Sequence, residues 1–260
     1  MSNYLTFLRK ELMENLRTKR ILVLACVFIF FAIAGALLAR YTGEFMAMLL
    51  PADDEATPLL IEAMGTPRWE NAYAEFYSQI SLIGVFTILF MYMSTVQREI
   101  KSGTASLMFS KGMGFLPFIL AKFTMAGIIT TIITVASTLV TYVYTLLLFE
   151  EAGQIGNVLF GSLIFSAGTL MMLAVIILCS SLTKSVAASG GLSVGALFLL
   201  LLVGSLPRIG VYSPFSLFSF PVPISLGQTP EQLLVCILIA TGLAIVSLFL
   251  AVKAVKKAEG

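Results

Sequence analysis

Residues 97–122, QREIKSGTASLMFSKGMGFLPFILAK, decide how the rest of the chain is read. They carry Arg98, Glu99, Lys101, Lys111 and Lys122 in a protein otherwise poor in charge, and they separate two long apolar runs, 77–96 and 118–148. If both runs span a bilayer, the stretch between them is a short basic cytoplasmic loop with a helix-like core at 105–110. Such a loop can serve as a handle for a soluble partner.

Composition says that the runs do span one. Of 260 residues, 58% are hydrophobic and 12% are charged, and the mean hydropathy is +0.99. A soluble domain carries about 25% charged residues. An ordinary core cannot absorb so much apolar surface, so the solvent must be lipid, and the class is an all-α polytopic membrane protein. The net charge of +2 is too small to argue for nucleic acid, and the bases flank the apolar runs. Cys26, Cys179 and Cys236 each fall inside an apolar run, without the spacing of a disulfide framework or a metal site. There is no histidine, which removes the commonest general base and metal ligand.

Upstream, residues 1–20 are basic and place Leu5, Leu8, Leu12 and Leu16 on one helical face. This reads as an amphipathic elbow helix on the cytoplasmic membrane surface. The competing reading is a cleaved signal peptide, since Ala34-Gly35-Ala36 resembles a small-residue cleavage site, but the charged lead is long for one. Residues 21–38 form the first span. Residues 39–76 are expected to be an extracytoplasmic loop, acidic at Glu44, Asp53, Asp54, Glu55, Glu62, Glu70 and Glu75 and broken by Pro51, Pro58 and Pro67. Trp69, Tyr73, Phe76 and Tyr77 gather before the second span as an interfacial aromatic belt would.

Downstream, the remaining spans are 77–96, 118–148, 158–182, 187–206 and 233–252. Residues 209–230 are also long enough to cross. They hold Pro214, Pro221, Pro223 and Pro230 with Gly210 and Gly227, which would interrupt a helix repeatedly. Unsatisfied backbone in lipid costs several kcal/mol per group, so 207–232 is expected to be an outer re-entrant or interfacial segment packed on protein. Six spans with both termini inside put every base except Arg40, Arg68 and Arg208 on the cytoplasmic side. A seventh span would move the C-terminal lysines outside, against the positive-inside rule.

The missing chemistry is informative as well. No ionisable residue lies at the centre of a span, where one usually marks an ion or proton path. No GxxxxGK[ST] phosphate loop is present, so an energy source for uphill movement has to sit on another polypeptide. Thr130, Thr134, Thr138, Thr141 and Thr145 follow helical spacing along the third span. They read either as a stripe facing a substrate path or, preferably, as helix packing. Ser189, Gly190, Gly191, Ser193 and Gly195 allow close helix approach to the fifth span, within the chain or across a dimer.

The helix FLRKELMENLRTKR before span one, Glu99, Gly103, Thr104 and Ser110 after span two, Lys122 at the head of span three, and Ser213-Pro214-Phe215 before span six together resemble the permeases of type-2 ATP-binding-cassette transporters. Lys111-Gly112 and Ala121 depart from that pattern. The resemblance implies a permease domain over residues 1–260, with a coupling loop at 97–117. The segment formed by Arg98, Glu99, Lys101, Gly103, Thr104, Leu107, Met108, Phe109, Ser110 and Lys111 would dock on a cytoplasmic cassette ATPase. It also implies pairing as a homodimer or heterodimer with a related permease, ATP and Mg bound by the ATPase rather than by this chain, and export as the usual direction. A prokaryotic cytoplasmic membrane fits a chain with its bases inside. The alternative is a non-transporting membrane scaffold or sensor that recruits an ATPase or regulatory protein through the same handle.

Overall fold

A computed structural model describes residues 2–49, 67–206 and 210–259. Pro51, Pro58, Asp53, Asp54, Glu55, Glu62 and Arg208 lie outside them. Among the described residues the chain is helical throughout, with no strand. Six helices are long and apolar enough to cross a membrane, so this is a multi-pass membrane protein.

Helix α1 (Ser2–Arg17) leads through a turn, where Lys19 has a φ of 57°, into α2 (Arg20–Leu49). The second span is assembled from α3 (Trp69–Gln79), a π-helical turn (Ile80–Gly84) and α4 (Val85–Tyr92). Two short helices follow, α5 (Thr95–Lys101) and α6 (Thr104–Ser110). Then come α7 (Phe115–Phe149), α8 (Ile155–Leu182) and α9 (Val186–Gly204). Two 3₁₀ turns (Gly210–Tyr212 and Pro214–Phe218) and α10 (Pro221–Ser225) precede α11 (Leu233–Glu259).

The expected loop at 39–76 is shorter than its composition suggested. α2 runs on through Gly43 to Leu49, because no proline interrupts it before Pro51. The aromatic cluster at Trp69–Tyr77 is already helical and is buried into protein at Tyr73, Phe76 and Tyr77. Tyr73 donates to the Ala152 carbonyl at 2.8 Å. Trp69 packs over Gly153, where φ is 70° and a Cβ would lie 2.8 Å from the indole.

α8 is the central post, the most enclosed of the six spanning helices. Its small residues admit the proline-rich stretch. A Cβ on Gly161 would stand 3.0 Å from the Pro221 carbonyl oxygen, and one on Gly168 would stand 3.2 Å from the Phe218 ring. Prolines at the first turns of the second 3₁₀ turn and of α10 start each piece without needing an N–H partner. The described part of this stretch, 210–230, is therefore a set of short turns packed on α8, not a continuous helix.

The threonine stripe of α7 points into the chain. Thr130, Thr134, Thr138, Thr141 and Thr145 are all buried. Thr130, Thr138, Thr141 and Thr145 donate back to carbonyls four residues earlier in their own helix. Thr141 also reaches the Ala32 carbonyl of α2 at 3.4 Å. The stripe is a packing surface in this chain, since four of its five hydroxyls satisfy themselves locally and let α2 approach, while that of Thr134 is buried without a partner.

Candidate functional site: a buried ion cluster behind two short helices

α5 and α6 are too short to hold themselves in water, so their position is set from outside. The Ser180 hydroxyl of α8 accepts hydrogen bonds from the backbone N–H groups of Val96 and Gln97, both at 3.1 Å. It thereby caps the first turn of α5, whose early N–H groups have no partner within the helix. Gln97 Nε2 donates to the Lys184 carbonyl at 2.8 Å, a second tie to the end of α8. Gly103 turns the chain between the two helices with a φ of 72°, a left-handed conformation that costs glycine little. Ala105, Phe118 and Ile119 are buried together with Phe7 and Val96, and Met108 and Phe109 pack partly against that group.

Behind this apolar layer lies an ion cluster. Lys122, on the first turns of α7, is 1% exposed. Its Nζ stands 2.9 Å from Glu11 Oε1 on α1 and 2.9 Å from Glu99 Oε1 on α5. Lys10 pairs with the same Glu99 oxygen, and lies 3.2 Å from Glu11 and 3.3 Å from Glu14. The Lys122 ammonium also sits 5.2 Å from the Phe118 ring centroid and 5.8 Å from that of Phe7, which adds cation–π attraction. Burial works to lower the Lys10 ammonium, and the carboxylates of Glu11, Glu99 and Glu14 outweigh it, raising it from 10.5 to about 12.

The three carboxylates are close enough to share a cation, but the ammonium groups of Lys10 and Lys122 already stand among them. Removing one partner of a buried pair leaves an uncompensated charge, at a cost of about 3–5 kcal/mol. The cluster therefore fixes α1, α5 and α7 to one another. It is a mechanical joint between the N-terminal helix, the segment after span two and the head of span three.

The residues singled out in the sequence divide into two sets. Glu99 is buried and turned inward to the joint. Met108 and Phe109 are half-buried against the apolar layer, with Phe109 4.4 Å from the Phe115 ring centroid. Arg98, Lys101, Thr104, Leu107, Ser110 and Lys111 are exposed, and Leu107 is 63% exposed. The Arg98 guanidinium lies 3.3 Å from the Ser94 hydroxyl, which accepts from it, and Thr104 pairs with Ser102. The sequence reading missed Lys10, Glu11, Glu14 and Ser180. Phe7, Glu11 and Asn15 recur every four residues and are the buried face of α1. Leu5, Leu12 and Leu16, by contrast, are exposed, as lipid-facing residues would be. No known family model matches the chain, and no curated protein matches it.

Proposed function

We propose that the chain is the permease subunit of an ATP-binding-cassette transporter, acting in export with ATP hydrolysed on a separate cytoplasmic subunit. The observation that carries this reading is the mounting of α5 and α6. An outward face with Arg98, Lys101, Leu107 and Lys111 exposed is backed by an ion cluster that ties it to the head of α7 and to α1. A loop that merely connected two spans would need no such joint. A segment that must pass on a push would need it, because force on a loosely held loop is lost in local motion.

In this account Leu107 enters an apolar groove of the ATPase and the flanking bases and hydroxyls hold the contact. Gly103 and Thr104 set the angle between the two helices. Met108 and Phe109 back the contact from inside, and Glu99 positions it. ATP-driven closure of the ATPase pair moves α5 and α6, and the joint carries the movement into α4, α7 and α1 together. Such a shift requires that the ATPase contact the segment differently in its two states. Pairing with a second permease, identical or related, completes the path. Gly191 and Gly195 on α9 support it, because a Cβ on either would meet nothing within 4 Å in this chain, leaving a small-residue face for a partner helix. Both termini and the segment lie on the cytoplasmic side of a cell membrane in this reading.

Purification of the tagged chain from its host's membranes in mild detergent, with mass spectrometry of what accompanies it, tests the proposal. A stoichiometric protein bearing a phosphate loop and a cassette signature, lost on Leu107→Asp together with Lys111→Glu, supports it. Intact recovery without such a subunit, where other transporters keep theirs, contradicts it and favours a scaffold.

A further inference from the structure

On the far side of α5 from the ion cluster lies a cavity of about 690 Å³. Three lysines from three separate elements reach it: Lys101 at the end of α5, Lys184 between α8 and α9, and Lys257 near the end of α11. Among the described residues no carboxylate lines it, and none of the three lysines forms an ion pair. This contrasts with Lys10 and Lys122 close by, each neutralised by glutamates. Three like charges around one hollow repel one another, and an anion seated among them would be attracted by all three.

The rest of the wall says which kind of anion. Leu182 and Ala254 lie near the ends of two spanning helices, so the cavity has an apolar side beside its cationic one. Gln97 forms part of the wall, and its Oε1 is buried with no donor facing it. We infer that this cavity binds the headgroup of an anionic phospholipid, its phosphate held by Lys101, Lys184 and Lys257 and its acyl-linked glycerol lying along the apolar wall. Basic pockets between spanning helices on the cytoplasmic side, facing an anionic leaflet, are suited to such headgroups. A free phosphate would use the lysines but not the apolar wall, and the lipid uses both. Because α5 forms one wall, lipid occupancy would brace the segment from the side opposite the ion cluster.

Native mass spectrometry of the full chain, released from detergent with added dioleoyl phosphatidylglycerol or dioleoyl phosphatidylcholine, tests the inference. Phosphatidylglycerol should bind at least about tenfold more tightly than phosphatidylcholine. Each lysine near an anionic surface contributes about fivefold, so Lys101→Gln with Lys184→Gln and Lys257→Gln should weaken phosphatidylglycerol by roughly 100-fold. Removing three charges from the N-terminal segment instead, with Arg9→Gln, Arg17→Gln and Lys19→Asn, should change it by no more than about twofold. If the triple lysine variant does not fold, the single change at the exposed Lys184 should still cost about fivefold. Equal binding of the two lipids, or equal losses in the two triple variants, overturns the inference. So does saturation by millimolar inorganic phosphate that displaces the lipid completely.

Discussion

Lys122 Nζ lies 2.9 Å from Glu11 Oε1, joining the head of the third span to the N-terminal helix across most of the first half of the chain. Both side chains are almost fully buried, and the same ammonium holds Glu99. Substituting Lys122→Met leaves Glu11 and Glu99 with Lys10 as their shared cation, and should destabilise the protein by at most about 3–5 kcal/mol. Thermal unfolding in detergent would read this as a large drop in Tm. Combining Lys122→Met with Glu11→Gln should cost less than the sum of the separate changes, because the three groups act as one network. Strict additivity would show that the joint is not one.

The Lys10 contribution has a defined pH window. Its ammonium is raised from 10.5 to about 12 in the folded chain, so the folded state binds that proton more tightly than the unfolded one. The stability it supplies is fully present below about pH 10.5 and is lost as pH rises through about 12. The stability difference between wild type and Lys10→Met should be flat from pH 7 to pH 9.5 and shrink above that. A difference that varies across the neutral range would refute the assignment.

Ser180→Ala removes the oxygen that accepts from Val96 and Gln97 N–H. Loss of a cap costs typically about 1 kcal/mol. Its local signature is faster amide hydrogen exchange at 96–97 than at other sites on α5, with α8 protected as before. Unchanged exchange at those two amides would mean that the cap contributes nothing.

Two glycines should respond in opposite directions. Gly161→Ala places a Cβ 3.0 Å from the Pro221 carbonyl oxygen, and overpacking of this kind costs about 1–3 kcal/mol. Gly191→Ala faces open space in a helix and should gain about 0.5–1 kcal/mol from a stiffer unfolded chain. Tm measurements on both variants check the contrast. Loss of stability at Gly191 in the dissociated chain would contradict the open face described for α9.

What the sequence made legible follows from what each feature depends on. Spans depend on composition over a window of about 20 residues, so the six spanning helices and the broken character of 209–230 could be read directly. Helix ends depend on single breakers, and the extension of α2 to Leu49 was missed because acidity and distant prolines were read as loop. The ion cluster depends on contacts between Lys10, Glu11, Glu99 and Lys122 far apart in sequence, which no local pattern encodes. One trace of it was present: Phe7, Glu11 and Asn15 recur at intervals of four beside the leucine face, and a buried acid there needs a cation from elsewhere. The threonine stripe could be read as a path or as packing until the Ala32 carbonyl was seen against Thr141.

The most direct test of the account is a photo-crosslinking residue placed at Leu107, 63% exposed on α6, and irradiated in the native membrane. A control at Leu147, 73% exposed near the other end of α7, reports what any exposed apolar site captures. The account predicts that Leu107, and not Leu147, captures a subunit carrying a phosphate loop and a cassette signature. Its yield should change when ATP is replaced by a non-hydrolysable analogue. Capture of no such subunit at Leu107, with the chain folded and in the membrane, would contradict the claim that α5 and α6 couple an ATPase to the spans.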